Sequence, residues 1–544
     1  MQQLTTCIFI LLDHNMLQEI TIKSVLGGHS PTHYFGRADQ YSWSMGIDPE
    51  FWITHDTDST SGQMIPTAYT AFSGANVTSY PVAIITNPKN TLIYTVLQNG
   101  RLISYTSGLA SETLIGTVAG GNAEGAFYYN NYIYITGTGA SKNDVSRYGP
   151  LNNSPALADG VWTGATLGSQ TALTDTTYPT WRNIDVPNHW GHVHVDNQVY
   201  FCDFLNGKGM IHTIKTRKVT DEGDTNDNSA YNVLDLPFGF YPTSIVSFGN
   251  DLVIGAVQTI SADVNQGDSA LFFWDTISRS FYKYLPISDP YVTAMKYHNG
   301  ILYVWSGNAV DGIRLMRYVG GDQLETLIYH TNGTPPLAGA VDALAGRIIW
   351  GSYANGPSSA DYAASIFAYG SKDDRLPKGL FNVARYSGTT ASDNQIITAC
   401  KFAQQLGSYQ PRMIFGWKNT TNGTKLDRGL DFNTETGTIN ALWQSLPFLI
   451  NQKFRVVRVD LSFTDAIAAN MTVTPSLIYD DYGTTEALTT INNTNFTNSE
   501  RAVKLFPSGG NVGYNNFMLK LAFTGTDVLP VALPIRIIIE TLDN

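Results

Sequence analysis

With 544 residues, the chain is long enough for two or more domains, or for one large repeat body with a smaller companion. Only 14% of its residues are charged while 43% are hydrophobic and 12% aromatic, which excludes an intrinsically disordered chain. The formal net charge is −12 and no run of Lys or Arg occurs, so nucleic-acid binding through phosphate neutralisation is not expected.

The first 72 residues are predicted to form an arm that docks along the rest of the protein. They hold an apolar strand at 7–12, an alternating segment at 18–26 and a path rich in Gly, Ser and Asp at 27–50. The apolar run is too short to span a bilayer and is followed at once by Asp13. It also lacks a preceding basic segment, so neither a membrane span nor a secretory signal is predicted.

Residues 73–430 repeat one sequence phrase. A turn pair of Asn, Gly or Asp leads into an apolar and aromatic strand, and a second short strand follows after a polar gap. The cleanest copy reads HNGILYVW and then GIRLMRY, at 298–305 and 312–318. Because the phrase recurs at roughly forty to sixty residues, it indicates a repeat architecture, and a repeat built of strands is typical of a β-propeller.

Seven segments are predicted to be the inner strands of about seven blades. They are VAIITN (82–87), GAFYYN (125–130), HVHVD (192–196), SIVSFG (244–249), VTAMKY (292–297), AVDALA (340–345) and IITACKF (396–402). Six or eight blades remain open, because long inserts at 152–180 and 217–232 blur the period.

Residues 431–544 are predicted to form a jelly-roll-like β-sandwich. Longer strands separated by turns rich in Asn, Thr and Gly replace the repeat, and their pattern is closer to period 2 than to 3.6. The predicted strands are 454–463, 471–481, 517–525 and 533–542. No convincing helix is found, so the predicted fold class is all-β.

A histidine cluster at 189–196 is the first candidate for chemistry. His192 and His194 are two apart on a predicted strand and therefore share a face, with His189 and Asp196 close by. Two imidazoles on one face could ligate zinc. A third and fourth ligand cannot be identified, and hydrogen-bonded packing near the inner rim explains the cluster as well. No metal site is therefore predicted.

The acidic segment 221–235 is the second candidate, for calcium. Oxygen-bearing side chains fall at offsets 1, 3, 5 and 12 of a calcium loop, on Asp224, Asn226, Asn228 and Asp235. However, Ser229 stands where glycine is expected, the last ligand is Asp, and no helices flank the segment. A solvated loop between blades is the favoured interpretation, and no cofactor is predicted.

Five tryptophans in or beside segments rich in Gly, Pro and Asp are predicted to be exposed. They are Trp43, Trp52, Trp162, Trp181 and Trp190. Such side chains could stack on sugar rings or form subunit interfaces, where Trp is enriched, and an interface is the favoured use.

Three cysteines, Cys7, Cys202 and Cys400, lie far apart in sequence. Their spacing fits neither a disulfide framework nor a metal site. Cys202 and Cys400 fall within predicted strands, so both are predicted to be buried as small apolar residues.

Catalytic signatures are mostly absent from the sequence. It contains no G-x-S-x-G, H-E-x-x-H or Walker motif, no sialidase-type aspartate box and no WD40 pattern. No catalytic residue is predicted, and the chain is not expected to be an enzyme. A glycosidase built on two carboxylates from different blades remains open.

Two segments together resemble propeller-bearing tail proteins of tailed bacteriophages. The first is the arm segment 27–50. The second runs from 436 to 463, and 513–542 follows it. The residues that match the first strands of the sandwich in these tail proteins are Trp443, Lys453, Phe454, Val456 and Val459. The resemblance covers the arrangement of nearly the whole chain, and it carries over no catalytic residue.

The resemblance implies a structural part of a virion tail, such as a nozzle, hub or host-contact platform. Such a protein is made in the host cytoplasm and acts through assembly and surface binding. Its expected partners are other virion proteins, copies of itself in a ring, and a host surface glycan or receptor. The alternatives are a carbohydrate-active enzyme, either a glycosidase or a lyase, and a glycan-binding lectin module.

Overall fold

The computed structural model describes most of the chain, and strands account for most of what it describes. The described ranges are 17–30, 35–50, 63–72, 76–86, 92–105, 111–118, 121–129, 131–138, 144–151, 156–162, 192–193, 198–205, 208–215, 229–258, 268–288, 291–308, 312–330, 335–354, 363–372, 376, 378–385, 396–403, 412–421, 425–434, 436–467, 469–480, 483–496, 501–508 and 513–542. Helix in these ranges is limited to a 3₁₀ turn at Ala338–Ala340, and none could span a membrane. The protein is all-β, as predicted.

The N-terminal arm contributes five short strands, which join three different parts of the molecule. They are β1 (Leu17–Ile22), β2 (Gly28–His29), β3 (Gln40–Tyr41), β4 (Trp43–Met45) and β5 (Ala68–Phe72).

Blades one to three are four-stranded antiparallel sheets, each formed by four strands that are consecutive in the chain. The first holds β6 (Pro81–Thr86), β7 (Ile93–Leu97), β8 (Arg101–Tyr105) and β9 (Glu112–Thr117). The second holds β10 (Gly125–Tyr129), β11 (Tyr132–Thr138), β12 (Asp144–Gly149) and β13 (Ala156–Trp162). The third holds β14 (His192–Val193), β15 (Val199–Leu205), β16 (Lys208–Lys215) and β17 (Ser229–Phe238).

Blades four to six repeat the same order, and blade six is extended by the arm. Blade four holds β18 (Phe240–Phe248), β19 (Asp251–Gln258), β20 (Ser269–Trp274) and β21 (Lys283–Ile287). Blade five holds β22 (Val292–His298), β23 (Ile301–Asn308), β24 (Gly312–Gly320) and β25 (Gln323–His330). Blade six holds β26 (Val341–Leu344), β27 (Arg347–Ala354), β28 (Ala363–Gly370) and β29 (Gly379–Arg385), followed by β2 and β3 of the arm.

Blade seven combines strands from the two ends of the repeat body. It holds β30 (Ile396–Ala403), β31 (Arg412–Thr421) and β32 (Lys425–Thr434), and its outermost strand is β5 of the arm. The inner strand β30 packs against β6 of blade one, which closes the ring. The predicted boundaries placed residues 68–72 in the arm and 431–434 in the sandwich, whereas the structure pairs both within this blade.

The C-terminal sandwich packs two sheets face to face. Its strands are β33 (Thr436–Gln444), β34 (Phe448–Phe463), β35 (Met471–Tyr479), β36 (Thr484–Ala487), β37 (Ala502–Leu505), β38 (Tyr514–Asp527) and β39 (Val531–Thr541). One layer runs β36–β35–β38–β33 and the other β37–β34–β39–β1, and the first residues of β34 pair with β38, which joins the two layers in one hydrogen-bonded sheet. A register shift between Val456 and Arg458 breaks the alternation of β34, and therefore Val456 and Val459 are both buried.

Four of the inner strands carry the same irregularity near their first residue. Register shifts fall at Pro81/Ala83 in β6, Pro242/Ser244 in β18, Val292/Ala294 in β22 and Ile397/Ala399 in β30. A bulge bends and twists a strand locally. The bulges recur at equivalent places in the repeat, which marks these blades as copies of one unit.

Three of these bulged residues pack on a glycine in the second strand of the preceding blade. An added Cβ would lie 2.7 Å from Val292 at Gly255, 2.4 Å from Ile397 at Gly351 and 2.5 Å from Pro81 at Gly416. Glycine is therefore required there by the close approach of two blades.

The seven predicted inner strands coincide with β6, β10, β14, β18, β22, β26 and β30. The turn pairs also lie where predicted, between the first two strands of a blade. Asn131, Gly249, Asn299 and Gly300 adopt positive φ there, a conformation that Asn and Gly tolerate.

Candidate functional site

The predicted histidine cluster falls almost wholly outside the described residues. His192 lies in the backbone of β14, while His189, His194 and Asp196 are outside the described ranges. Among the residues that the structure describes, no three His, Cys, Asp or Glu side chains converge as metal ligands.

The acidic segment 221–235, which we interpreted as a solvated loop between blades with calcium as the alternative, is a strand over its second half. Ser229 begins β17, and Asp235 lies in that strand opposite Met210 of β16, with its side chain exposed. Extended backbone paired in a ladder cannot wrap around a cation as a calcium loop does. Asp224, Asn226 and Asn228 lie outside the described residues.

The prediction that Trp43 is exposed is wrong. Trp43 has no exposed surface, because its strand β4 pairs with β33 and contacts β29 of blade six, and the His29 ring of β2 packs on it edge-on. The backbone of Trp162 ends β13, and Trp52, Trp181 and Trp190 lie outside the described residues.

The predicted burial of two cysteines is confirmed. Cys202 and Cys400 are both buried, with almost no exposed surface. Burial raises the pKa of the Cys400 thiol well above its ordinary value, which keeps the thiol protonated. Cys7 lies outside the described residues.

The most elaborate set of side-chain interactions is at a junction where the arm meets blade six and the sandwich. We call it the arm junction. At its centre, the His29 ring meets Tyr41, Trp43 and Phe367 edge-on, at ring-centroid distances of 5.0, 5.3 and 6.0 Å. Tyr41 lies 6.2 Å from Trp443 of the sandwich. The arm is therefore held in an aromatic core that all three parts supply.

Ion pairs buried beside this aromatic core tie the arm to blade six. Arg347 at the start of β27 is 3% exposed, and its Nη1 lies 2.9 Å from Asp48 Oδ2. The Nε of Arg347 lies 3.1 Å from Glu50 Oε2. Burial would raise the pKa of Asp48, but the positive charges of Arg347 and Lys372 outweigh it and hold that pKa below its ordinary value.

Glu50 is also held by the turn between β28 and β29. It accepts hydrogen bonds from Ser371 Oγ at 2.9 Å and from the Lys372 backbone N–H at 2.7 Å. The Lys372 ammonium donates to the Glu50 backbone carbonyl at 2.7 Å. Burial lowers the pKa of Lys372 to about 8, with Asp48 and Glu50 opposing that shift.

Backbone and side-chain groups of the arm donate hydrogen bonds to β29 at the same junction. The Ile47 N–H donates to the Asn382 carbonyl at 3.0 Å, and Thr67 Oγ1 donates to the Val383 carbonyl at 2.8 Å. At Gly28, φ is +72° and an added Cβ would lie 2.2 Å from the Leu380 carbonyl oxygen. Only glycine allows β2 to approach β29 so closely.

An open groove lies at the edge of the sandwich, on the outer side of the arm. It has a volume of about 680 Å³ and is bordered by β1, by residues 446–452 and by Phe35. The side chains of Phe35 and Leu449 are 71% and 65% exposed. In the described part of the chain, β1 pairs with β39 alone and so ends its sheet. We call this feature the sandwich groove.

Sequence reasoning missed the charged part of the arm junction. Asp48 and Glu50 lie in the arm segment 27–50, but their partner Arg347 is about three hundred residues away and belongs to no local pattern. A conserved pairing across homologues is the signal that would have identified it.

Comparison with known proteins identifies no family. No protein-family model and no curated protein matches the chain. Among solved structures, the crystal structure of the computationally designed Ika8 protein is 11% identical with a TM-score of 0.36, covering 67% of this chain and 99% of that one. A structure of the Dos1 propeller is 12% identical with a TM-score of 0.40, covering 68% and 94%. TM-scores this low do not by themselves establish a shared fold, so the propeller assignment rests on the seven repeated units of four antiparallel strands.

Proposed function

We propose that this protein is a structural component of a bacteriophage tail that acts through assembly and not through catalysis. The two sequence segments that carry the resemblance to tail proteins, the arm and the sandwich, pack on each other at the arm junction. Trp443, one of the resembling residues, pairs with Ser44 of the arm through β33 and β4. This packing supports a common role for both segments.

A single observation carries the proposal, namely that one hydrogen-bonded sheet runs from the propeller into the sandwich. The arm strand β5 pairs with β32 of blade seven and with β33 of the sandwich. Tyr69 lies opposite Asn433 on one side and Thr438 on the other. A platform that transmits load between neighbouring subunits needs this kind of rigid connection.

The proposed partners are copies of the same chain, arranged in a ring, and other tail proteins. The sandwich groove supports this part, because Phe35 and Leu449 expose apolar surface beside a strand that ends its sheet. Burying such surface against a neighbouring copy is favourable.

Localisation in purified particles is the direct test of the proposal. We expect specific labelling of this protein to decorate the tail of virions in electron micrographs. Absence of the protein from purified virions contradicts the proposal, and cleavage of a polysaccharide by the pure protein would favour the carbohydrate-active alternative.

The oligomeric state tests the proposed self-assembly separately. We expect light scattering to show a ring, and Leu449→Asp to shift the population towards monomer because it places a charge in the sandwich groove. Leu114→Asp on the outer strand of blade one, where Leu114 is 38% exposed, is the matched control and should leave the assembly unchanged. Identical mass for the wild type and both variants contradicts a contact at the groove.

A further inference from the structure

Aromatic side chains form a row across the turns that end strands of blades four and five. Tyr297 at the end of β22 meets Phe248 at the end of β18, with ring centroids 5.4 Å apart. Phe248 in turn meets Tyr318 of β24 at 5.6 Å, and Tyr318 meets Phe273 at 5.2 Å. Phe273 is buried and supports the row from below, whereas Tyr297 is 38% exposed. The row thus presents ring surface to solvent.

The rings of this row are held in place by polar contacts. The Lys283 ammonium lies 5.0 Å from the ring centroids of both Phe273 and Tyr318, and it donates to the Tyr318 hydroxyl at 2.9 Å. It also pairs with Asp322, at 3.2 Å. The Tyr318 hydroxyl donates to the Gly321 carbonyl at 3.0 Å. A rigid aromatic surface binds a ligand with little loss of side-chain entropy.

A further tyrosine is held in the same way beside the row. The Tyr282 hydroxyl donates to Asp251 Oδ2 at 2.6 Å, and the side chain is 56% exposed. Burial and then this hydrogen bond raise the pKa of Tyr282, and the nearby Tyr318 contributes to the shift. The hydroxyl therefore stays protonated and keeps donating to the carboxylate.

The charges around the rings favour an uncharged ligand. Asp251, Asp275 and Asp322 outnumber Arg279, in the same turn as Asp275, and Lys283, at the start of β21. Asp is depleted from protein–protein interfaces, and excess carboxylate repels acidic polymers. A neutral sugar, by contrast, offers C–H bonds that stack on the faces of aromatic rings and hydroxyls that donate to carboxylates.

We propose that this surface, formed by Phe248, Asp251, Tyr282, Tyr297, Tyr318 and Asp322, binds a neutral saccharide. We call it the tyrosine surface. The proposal goes beyond assembly, because it assigns the propeller a binding activity of its own. It concerns turns of blades four and five, which are separate from the arm junction in blade six.

An oligosaccharide array with the purified full chain tests the proposal. The array carries neutral oligosaccharides of hexoses and N-acetylhexosamines beside sialylated and sulfated ones. We expect binding to neutral members only. In calorimetry with the best neutral oligosaccharide, Tyr297→Ala and Tyr282→Ala should each weaken binding roughly tenfold, because each removes a stacking ring. Tyr297→Phe keeps the ring and should bind nearly as the wild type does.

Tyr329→Ala is the matched control, since Tyr329 is an exposed tyrosine of blade five on the outer strand β25. It should bind as the wild type does, and thermal unfolding checks that every variant is folded. A blank array, preferential binding of acidic members, or unchanged affinity in both alanine variants overturns the proposal. The proposal is also overturned if the wild type binds a protein partner at this surface and the same variants abolish that binding. Because the measurement uses the pure protein, its outcome is independent of whether the protein is found in virions.

Discussion

At the scale of single residues, burial decides which charges matter for this fold. Asp342 on the inner strand of blade six is 4% exposed and binds lysines of both neighbouring blades. Its Oδ1 lies 2.9 Å from Lys296 Nζ and 3.3 Å from Lys401 Nζ, and its Oδ2 accepts from the Phe402 N–H at 2.9 Å. The carboxylate therefore links the inner strands of blades five, six and seven.

Asp342→Asn should destabilise the protein and reduce its sensitivity to acid. Burial would raise the pKa of Asp342, but Lys401 and Lys296 lower it to about 2. A carboxyl group whose pKa is lowered by folding stabilises the folded state at pH values above its ordinary pKa, which is near 4. That stabilisation is lost as the pH falls towards 2. We expect the variant to lose about 2 kcal/mol at pH 7 in urea unfolding, and its stability to fall less between pH 4 and pH 2.

Glu325→Gln is the control, because Glu325 pairs with Arg317 at the surface and both side chains are substantially exposed. Its effect should stay below about 1 kcal/mol. If the stability of Asp342→Asn falls as steeply between pH 4 and pH 2 as that of the wild type, the Asp342 carboxylate is not the source of the acid sensitivity.

Arg347→Met should cost far more than loss of a surface arginine. The change removes the guanidinium that pairs with both Asp48 and Glu50, and Lys372 is then the cation that remains beside them. Removing one partner of a buried ion pair costs about 3 to 5 kcal/mol, whereas Arg317→Met removes an exposed pair worth less than about 1 kcal/mol. Chemical unfolding of both variants makes the comparison, and equal losses would contradict a buried ionic contact.

Trp43 shows why local composition misled the prediction of exposure. Its neighbours are Gly, Ser and Asp, which are typical of a solvated path. Its burial depends on β33, which pairs with β4, and on β29 of blade six, and both strands are more than three hundred residues away in the sequence. No window of local sequence contains that information.

At the scale of strands and turns, the repeat was predictable because its signals are local. The turn pair and the first two strands of a blade lie within about twenty residues, so their pattern can be found directly in the sequence. The outermost strand of blade seven could not be found in that way. The strand β5 is five residues long, and its partner β32 begins at Lys425.

Gly351→Ala should disturb the contact between blades six and seven. The new Cβ would lie 2.4 Å from Ile397 Cβ and would force the bulged end of β30 outwards. We expect a loss of about 1 to 3 kcal/mol, the cost of overpacking a well-filled site. Calorimetric unfolding measures this loss.

Gly300→Asn provides a comparison at a turn pair. Nothing lies within 4 Å of an added Cβ there, and Asn tolerates the positive φ of +80°. Its effect should therefore be smaller than that of Gly351→Ala. The reverse order would contradict the close packing of the two blades.

At the scale of the whole molecule, the arm makes the propeller and the sandwich a single body. Its strands join β39 of the sandwich, β29 of blade six, β33 of the sandwich and β32 of blade seven in turn. Separate domains of one chain commonly move relative to each other, whereas a shared sheet and a shared core prevent that motion.

Scanning calorimetry should therefore show one unfolding transition for the wild-type protein. Ala68→Pro should split it into two, because Ala68 lies opposite Thr434 of blade seven and Ile439 of the sandwich, and proline cannot continue the ladder. Thr326→Pro in β25, an outermost strand, should lower the transition temperature without splitting the peak. Two transitions in the wild type would contradict a single cooperative body.

The position of β5 also constrains the order of events during synthesis. A ribosome releases this strand before the first blade, yet both of its partners lie in 425–444, at the end of blade seven and the start of the sandwich. The four strands of each of the first six blades can pair as they leave the ribosome. For blade seven, β5 must wait until more than three hundred further residues have been synthesised. Ring closure and attachment of the sandwich are thus deferred to one late event. Until then, β5 must be kept from pairing with the edges of unfinished blades.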